Sequence, residues 1–258
     1  MLQGVSLLQY VYGAERVVIG VEANKPDAIA LLQKQCADTP VEILPLQVKY
    51  PQGAEKQLIA AATGKEVPSG GLPMDVGVAV HNVSTAAAVA DAVMLGRPLI
   101  ERVCTVTGPA IKEPKNLRVR IGMPLAHLVE VCGGMVEDPG KIILGGPMMG
   151  FTQVGFDVPV VRGTSGLLLL REEDVTKAPE GPCIRCARCV QACPMKLLPT
   201  TIAAYARRDL VEETEEYCAM DCIECGSCSY VCPANLPLVQ SIRHGKAAVL
   251  AKKRKALL

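Results

Sequence analysis

Two cysteine runs near the C-terminus constrain this chain more than any other feature. Cys183-Ile-Arg-Cys186-Ala-Arg-Cys189-Val-Gln-Ala-Cys193-Pro194 follows the spacing C-x2-C-x2-C-x3-C-P, and Cys222-Ile-Glu-Cys225-Gly-Ser-Cys228-Ser-Tyr-Val-Cys232-Pro233 follows it again. Three thiolates at x2 spacing can wrap one corner of a 4Fe–4S cubane. The intervening backbone N–H groups then turn toward the sulfurs, and the fourth cysteine, beside a proline that breaks the turn, reaches the other cluster. The spacing therefore predicts two clusters with crossed ligation. One is assigned to Cys183, Cys186, Cys189 and Cys232, the other to Cys222, Cys225, Cys228 and Cys193. Crossed ligation brings the clusters close together, which suits the passage of single electrons.

The competing reading of the same cysteines is a pair of zinc sites. Zinc usually takes two distant C-x2-C hooks or mixes in histidine, whereas here a triple x2 run closes on x3-C-P twice. The other four of the twelve cysteines, Cys36, Cys104, Cys132 and Cys218, are scattered and are expected to be buried small hydrophobes. Cys218 fits no triplet with Cys222 and is excluded as a ligand. Without a disulfide-like distribution or an export signal, a reducing compartment and metal ligation are expected. His81, His127 and His244 are isolated in the sequence and are assigned core or surface roles.

The rest of the composition excludes other classes. A formal net charge of +1 and an aromatic content of 3% leave neither a field to attract nucleic acid nor rings to stack its bases. The run Leu167–Leu170 is far short of the ~20 apolar residues that a membrane-spanning helix requires. Any membrane association is therefore expected to come through partners. The basic tail from Ala251 onward is read as a solvated helix end, since cations suit the last turn.

Residues 1–98 read as alternating strand and helix, which implies a parallel α/β sheet. Strands are expected at Arg16–Val21, Val41–Val48 and Asp75–His81, and helices at Ala28–Cys36, Ala54–Thr63 and Thr85–Leu95. Residues 99–177 read as a small α+β module with a connecting segment. It has strands at Leu99–Thr107, Leu117–Ile121 and Lys141–Leu144, a helix at Pro124–Cys132, and loops with short strands over Gly145–Gly166. Ala178–Pro182 reads as a linker. Residues 178–258 read as a mainly helical dicluster ferredoxin-like domain that ends in a helix.

Several segments outside the cysteines occur in a recognisable order: Tyr50-Pro-Gln-Gly-Ala-Glu-Lys-Gln-Leu-Ile59, Pro68-Ser-Gly-Gly-Leu-Pro73, Asn82-Val-Ser-Thr85 and Gly145-Gly-Pro-Met-Met-Gly150. With the double cysteine motif they resemble the RnfC family of the Rnf electron-transport complexes, over nearly the whole chain. The resemblance implies a protein that sits peripherally on the cytoplasmic face of the cell membrane. It also implies other Rnf-complex subunits as partners, in a complex that exchanges electrons between NADH and ferredoxin while moving Na⁺ or H⁺. The module at Leu99–Gly134 falls where that family carries a β-grasp fold.

The α/β part is also similar to the NADH- and FMN-binding subunit of respiratory complex I. Tyr50, Gly53, Ala54 and Glu55 match that family's Tyr-x-x-Gly-Glu-Glu turn, with Ala54 in place of one acid. Asn82, Val83, Ser84 and Thr85 match its Asn-Val-Glu-Thr turn. The resemblance implies that Gly53, Glu55, Asn82 and Thr85 line an FMN site; free N–H groups at a helix start suit its phosphate. The segment Asn82–Thr85 also reads simply as a helix N-cap. The family's glycine-rich loop and its Asn-x-x-Glu-Cys-Glu-Pro segment are not in this sequence, so a truncated product or one piece of a split protein is expected. FMN binding is expected only with that upstream segment. Two alternatives differ from the translocase reading: a cobalamin-reductase-like iron–sulfur flavoprotein, and a free-standing dicluster electron carrier.

Overall fold

The computed structural model describes residues 1–175 and 178–256, so residues 176 and 177 of the expected module and the last two of the basic tail lie outside the described residues. The chain divides into two compact units. The first comprises Met1–Pro98 with Met220–Ile223, and the second Leu99–Ala219 with Glu224–Leu258.

In the first unit, helix α1 (Leu2–Tyr12) precedes strand β1 (Val17–Glu22), helix α2 (Pro26–Gln35), strand β2 (Val41–Leu46), helix α3 (Glu55–Thr63) and helix α4 (Val83–Leu95). The β-branched run Val17-Val-Ile favours an extended chain, and β1 pairs with β2 in parallel, from Val17 opposite Val41 to Glu22 opposite Leu46. Helix α2 starts on Pro26, with Asp27 in its first turn and Lys34 in its last, each charge set to oppose the local end of the helix dipole. Gly64 ends α3 and Gly96 ends α4 in left-handed conformation, φ 71° and 62°. Gly4 of α1 lies against the Ala86 backbone of α4, where any side chain would collide with the carbonyl.

Asp75–His81, expected as a third strand, is not one. Pro73–Val76 form a short 3-10 turn, Gly77 closes it at φ 71°, and no strand follows before α4. Pro73 presets the turn's φ and lacks an N–H, while the Asp75 carboxylate accepts from the Leu72 N–H at 2.8 Å. This local capping outweighs the strand propensity of Val78 and Val80. The neighbouring Pro68–Pro73 loop receives Asp221, whose carboxylate accepts from the Ser69 hydroxyl and from the Gly70 N–H at 3.1 Å. Lys56 of α3 stands 3.9 Å from the same carboxylate.

The second unit opens with a five-stranded sheet formed by β3 (Glu101–Thr107), β4 (Lys115–Arg120), β5 (Lys141–Leu144), β6 (Phe151–Gln153) and β7 (Gly166–Leu170), with helix α5 (Leu125–Val131) between β4 and β5. Strand order is β4-β3-β7-β5-β6; β3 and β7 run parallel and the other neighbours antiparallel. The apolar run at Leu167–Leu170 is thus a central strand, flanked on both sides. Its Leu167 and Leu169 are fully buried together with Cys104, Val106, Leu125, Leu128 and Val160. The α5 spacing Leu125, Leu128, Val129 puts all three on one face, toward the sheet.

Helices complete this unit: α6 (Arg188–Gln191), α7 (Pro199–Ala206), α8 (Val211–Glu216), α9 (Ser227–Tyr230) and α10 (Leu238–Ala256). Gly245 lets α10 close on α7 and α8; a Cβ there would stand 2.7 Å from Ala206 and 2.8 Å from Thr214. Ile202, Leu238, Ile242 and Val249 are buried. The basic end of α10 pairs with α8, Lys252 with Glu212 at 3.0 Å and Lys253 with Glu215 at 2.9 Å. Among the described residues, no helix is long and apolar enough to cross a membrane.

Candidate metal centre

The two cysteine runs repeat in backbone conformation as well as in spacing. Arg185 and Glu224 have φ 54° and 57°, Ala187 and Gly226 have 59° and 82°, and Lys196 and Asn235 have 56° and 51°. Each pair is offset by the same 39 residues as Cys183 and Cys222 (185 to 224, 187 to 226, 196 to 235). The single helical turns α6 and α9, which carry Cys189 and Cys228, keep that register. Non-glycine residues in left-handed conformation cost ~1–2 kcal/mol each, so a matched set signals a demand on the loop. Alternating left- and right-handed residues turn successive N–H groups into one concavity, a form suited to anions and iron–sulfur groups. Accordingly, the Arg185 N–H donates to Cys183 Sγ at 3.5 Å and the Leu197 N–H to Cys193 Sγ at 3.4 Å.

The surroundings of the two loops differ. Cys183 and Cys186 are exposed, Cys189 is buried and Cys193 half-buried; Cys225 and Cys228 are buried, and Cys222 and Cys232 half-buried. Glu224 stands where the first loop has Arg185, and it pairs with Arg243 at 2.8 Å and Lys246 at 2.6 Å. Burial pushes the Glu224 carboxyl up, but hydrogen bonds and charge from Lys246 and Arg243 outweigh it and hold the group below its usual range. Arg243 also lies over the Phe151 ring, 4.9 Å from its centroid. Neither Arg243 nor Lys246 stands out in the sequence; their i, i+3 spacing on the first half of α10 is the one local sign that they share a face.

Among the described residues, no three His, Cys, Asp or Glu side chains converge tightly enough to hold a single metal ion. A cubane spreads its four thiolates wider than one ion does, and the loop conformation and thiolate chemistry fit such a group.

The scattered cysteines divide. Cys36, Cys104 and Cys132 are buried as expected, but Cys218 is exposed, at the left-handed end of a turn after α8. Burial pushes the Cys104 and Cys132 thiols up from their ordinary value; for Cys104, Arg102 partly opposes this. All three histidines are at the surface. His81 stacks on Tyr12, His127 faces Glu130 at 3.3 Å, and His244 faces Asp209 at 2.8 Å.

The four residues singled out for FMN stand at the starts of two helices, Gly53 and Glu55 at α3 and Asn82 and Thr85 at α4. All four are exposed. The Asn82 side chain caps α4, its oxygen accepting from the Ser84 N–H at 2.9 Å, and the Asn82 carbonyl accepts from the Thr85 N–H at 2.9 Å.

Comparison with known proteins gives three family matches in chain order: a Nuo51 FMN-binding domain over residues 1–91, an SLBB domain over 103–152 and a 4Fe-4S dicluster domain over 182–236. Over 96% of its length the chain is 50% identical to the RnfC-type protein of the proton-translocating ferredoxin:NAD(+) oxidoreductase complex from Clostridium ljungdahlii. The chain belongs to the RnfC family of ion-translocating oxidoreductase complexes. It is likewise 50% identical, over 99% of its length, to the RnfC-type protein of the Na(+)-translocating ferredoxin:NAD(+) oxidoreductase complex from Acetobacterium woodii. To the RnfC-type protein of the ion-translocating oxidoreductase complex from Rhodobacter capsulatus it is 42% identical over 94%. The chain spans about half the length of these RnfC relatives: 54%, 58% and 47% of each. The matches follow the order of a mixed α/β part, a second small domain and a helical iron–sulfur part.

Proposed function

We propose that this chain is the electron-transfer part of an RnfC protein, in a membrane-bound complex that couples NADH and ferredoxin oxidoreduction to ion translocation. The observation that carries this reading is the repeated left-handed loop, whose first copy turns N–H groups to cysteine sulfur, in the segment matched by the dicluster family. Cys183, Cys186, Cys189 and Cys232 would hold one 4Fe–4S cluster, and Cys222, Cys225, Cys228 and Cys193 the other. Such a group, when bound, supplies a reversible one-electron store. The chain's own part is to orient the thiolates, to donate N–H groups to sulfur and to shield the second loop from water.

The proposal divides the chain into an α/β flavin-type part at 1–98, a β-grasp-like module at 99–177 and the dicluster domain at 178–258. Gly53, Glu55, Asn82 and Thr85 would form one side of an FMN site. Other members of the complex would hold the chain peripherally at the cytoplasmic face.

The test is anaerobic mixing of the reconstituted chain with a chemically reduced small ferredoxin. Rapid bleaching of the chain's visible absorption is expected, and it should vanish when Cys186 and Cys225 are both replaced by serine. A chain that holds iron yet accepts no electrons would contradict the proposal.

A further inference from the structure

The motif Gly145-Gly-Pro-Met-Met-Gly150 has no role in the function argued so far, yet it meets the second cysteine loop. A Cβ placed on Gly226, between Cys225 and Cys228, would stand 2.6 Å from the Met148 carbonyl oxygen. That approach needs a glycine, and the φ of 82° there favours one as well. Next to it the Arg243 guanidinium donates to the Met149 carbonyl at 3.4 Å, covers Phe151 and bonds Glu224 at 2.8 Å. The matching position of the first loop, Ala187, is exposed and carries a side chain.

We propose that the Gly145–Gly150 loop and Arg243 form a wall over the second cysteine loop that sets the potential of the group held there apart from that of the first. The inference rests on the reading of the cysteines as cluster ligands. Gly226 permits the wall to close, and Arg243 is the positioning residue that ties it to Glu224. One-electron reduction adds negative charge to a thiolate-bound cluster, so a cation held beside the second loop favours its reduced form.

The experiment is a redox titration of the reconstituted 258-residue chain, followed by paramagnetic resonance, with the second-loop signal assigned by Cys225→Ser. Arg243→Met should move that signal's midpoint to more negative potential and leave the other in place. Arg243→Lys should restore most of the shift. Gly226→Ala should broaden or abolish the same signal, whereas Ala187→Gly should change neither. Equal shifts of both signals in Arg243→Met, or no shift in either, would overturn the wall. So would a Gly226→Ala chain with unaltered signals and midpoints. A wild-type chain that takes up no iron would overturn the cysteine reading itself, and the wall with it.

Discussion

Arg185 and Glu224 occupy equivalent left-handed positions in two loops, at φ 54° and 57°, yet carry opposite charges. Arg185 is exposed, while Glu224 is half-buried and bonded to Arg243 and Lys246. The shared left-handed conformation is the one that turns successive N–H groups toward an anionic group. The side chains are unconstrained by that conformation, so each loop has acquired its own surroundings, one wet and basic, the other covered and charge-paired.

The proposed crossed ligation rests on the x3-C-P ends of the two motifs. Cys193→Ala is expected to damage the cluster held by Cys222, Cys225 and Cys228, and to spare more of the one held by Cys183, Cys186 and Cys189. Paramagnetic resonance on the reduced variants separates the two. Loss of the same signal in Cys193→Ala and Cys183→Ala would show local pairing instead.

The exposure of the residues proposed for FMN leads to a second expectation. Small-molecule pockets bury ~70–90% of their ligand, whereas Gly53, Glu55, Asn82 and Thr85 are all open to solvent, and the Asn82 side chain is engaged in capping α4. This chain alone should bind FMN weakly and should not oxidise NADH. Flavin-fluorescence titration checks the first point and NADH-dependent bleaching the second; tight binding with rapid bleaching would place the nucleotide site elsewhere.

Stability of the sheet module should depend on β7. Leu167 is fully buried at the middle of the sheet, and Leu167→Ala is expected to cost about 2–5 kcal/mol. Val103, on β3 but 61% exposed, should cost less than about 0.5 kcal/mol when replaced by alanine. Denaturant unfolding of the two variants gives the comparison, and equal costs would contradict the packing described.

The sequence carries some of this plainly and some not at all. The cysteine loops are legible because their spacing is local and repeats. Helices α2, α3 and α4 are legible from their caps, proline at the start of one and glycine at the ends of two. The strand expected at Asp75–His81 does not form because Pro73, Asp75 and Gly77 favour a capped turn, which composition alone does not weigh. Leu167–Leu170 stands out in the sequence only as too short to cross a membrane; its central place in the sheet depends on β3 and β5, far away in the chain. The approach of Met148 to Gly226 spans 78 positions (148 to 226), and no local pattern encodes it.

The cysteines outside the motifs should differ in reactivity. Burial holds the Cys104 and Cys132 thiols protonated to higher pH than usual, and thiolate is the reactive form. Cys218 is exposed. In the cluster-loaded native chain at mildly alkaline pH, an alkylating reagent should modify Cys218 first and leave Cys104 and Cys132 intact until the chain unfolds. Peptide mapping reads the order, and labelling of Cys104 as fast as Cys218 would contradict it.

Metal content tests the central claim most directly. Anaerobically reconstituted chain, assayed for iron, acid-labile sulfide and zinc, should contain about eight iron and about eight sulfide per chain, the content of two 4Fe–4S clusters. Stoichiometric zinc without iron after anaerobic purification would contradict it.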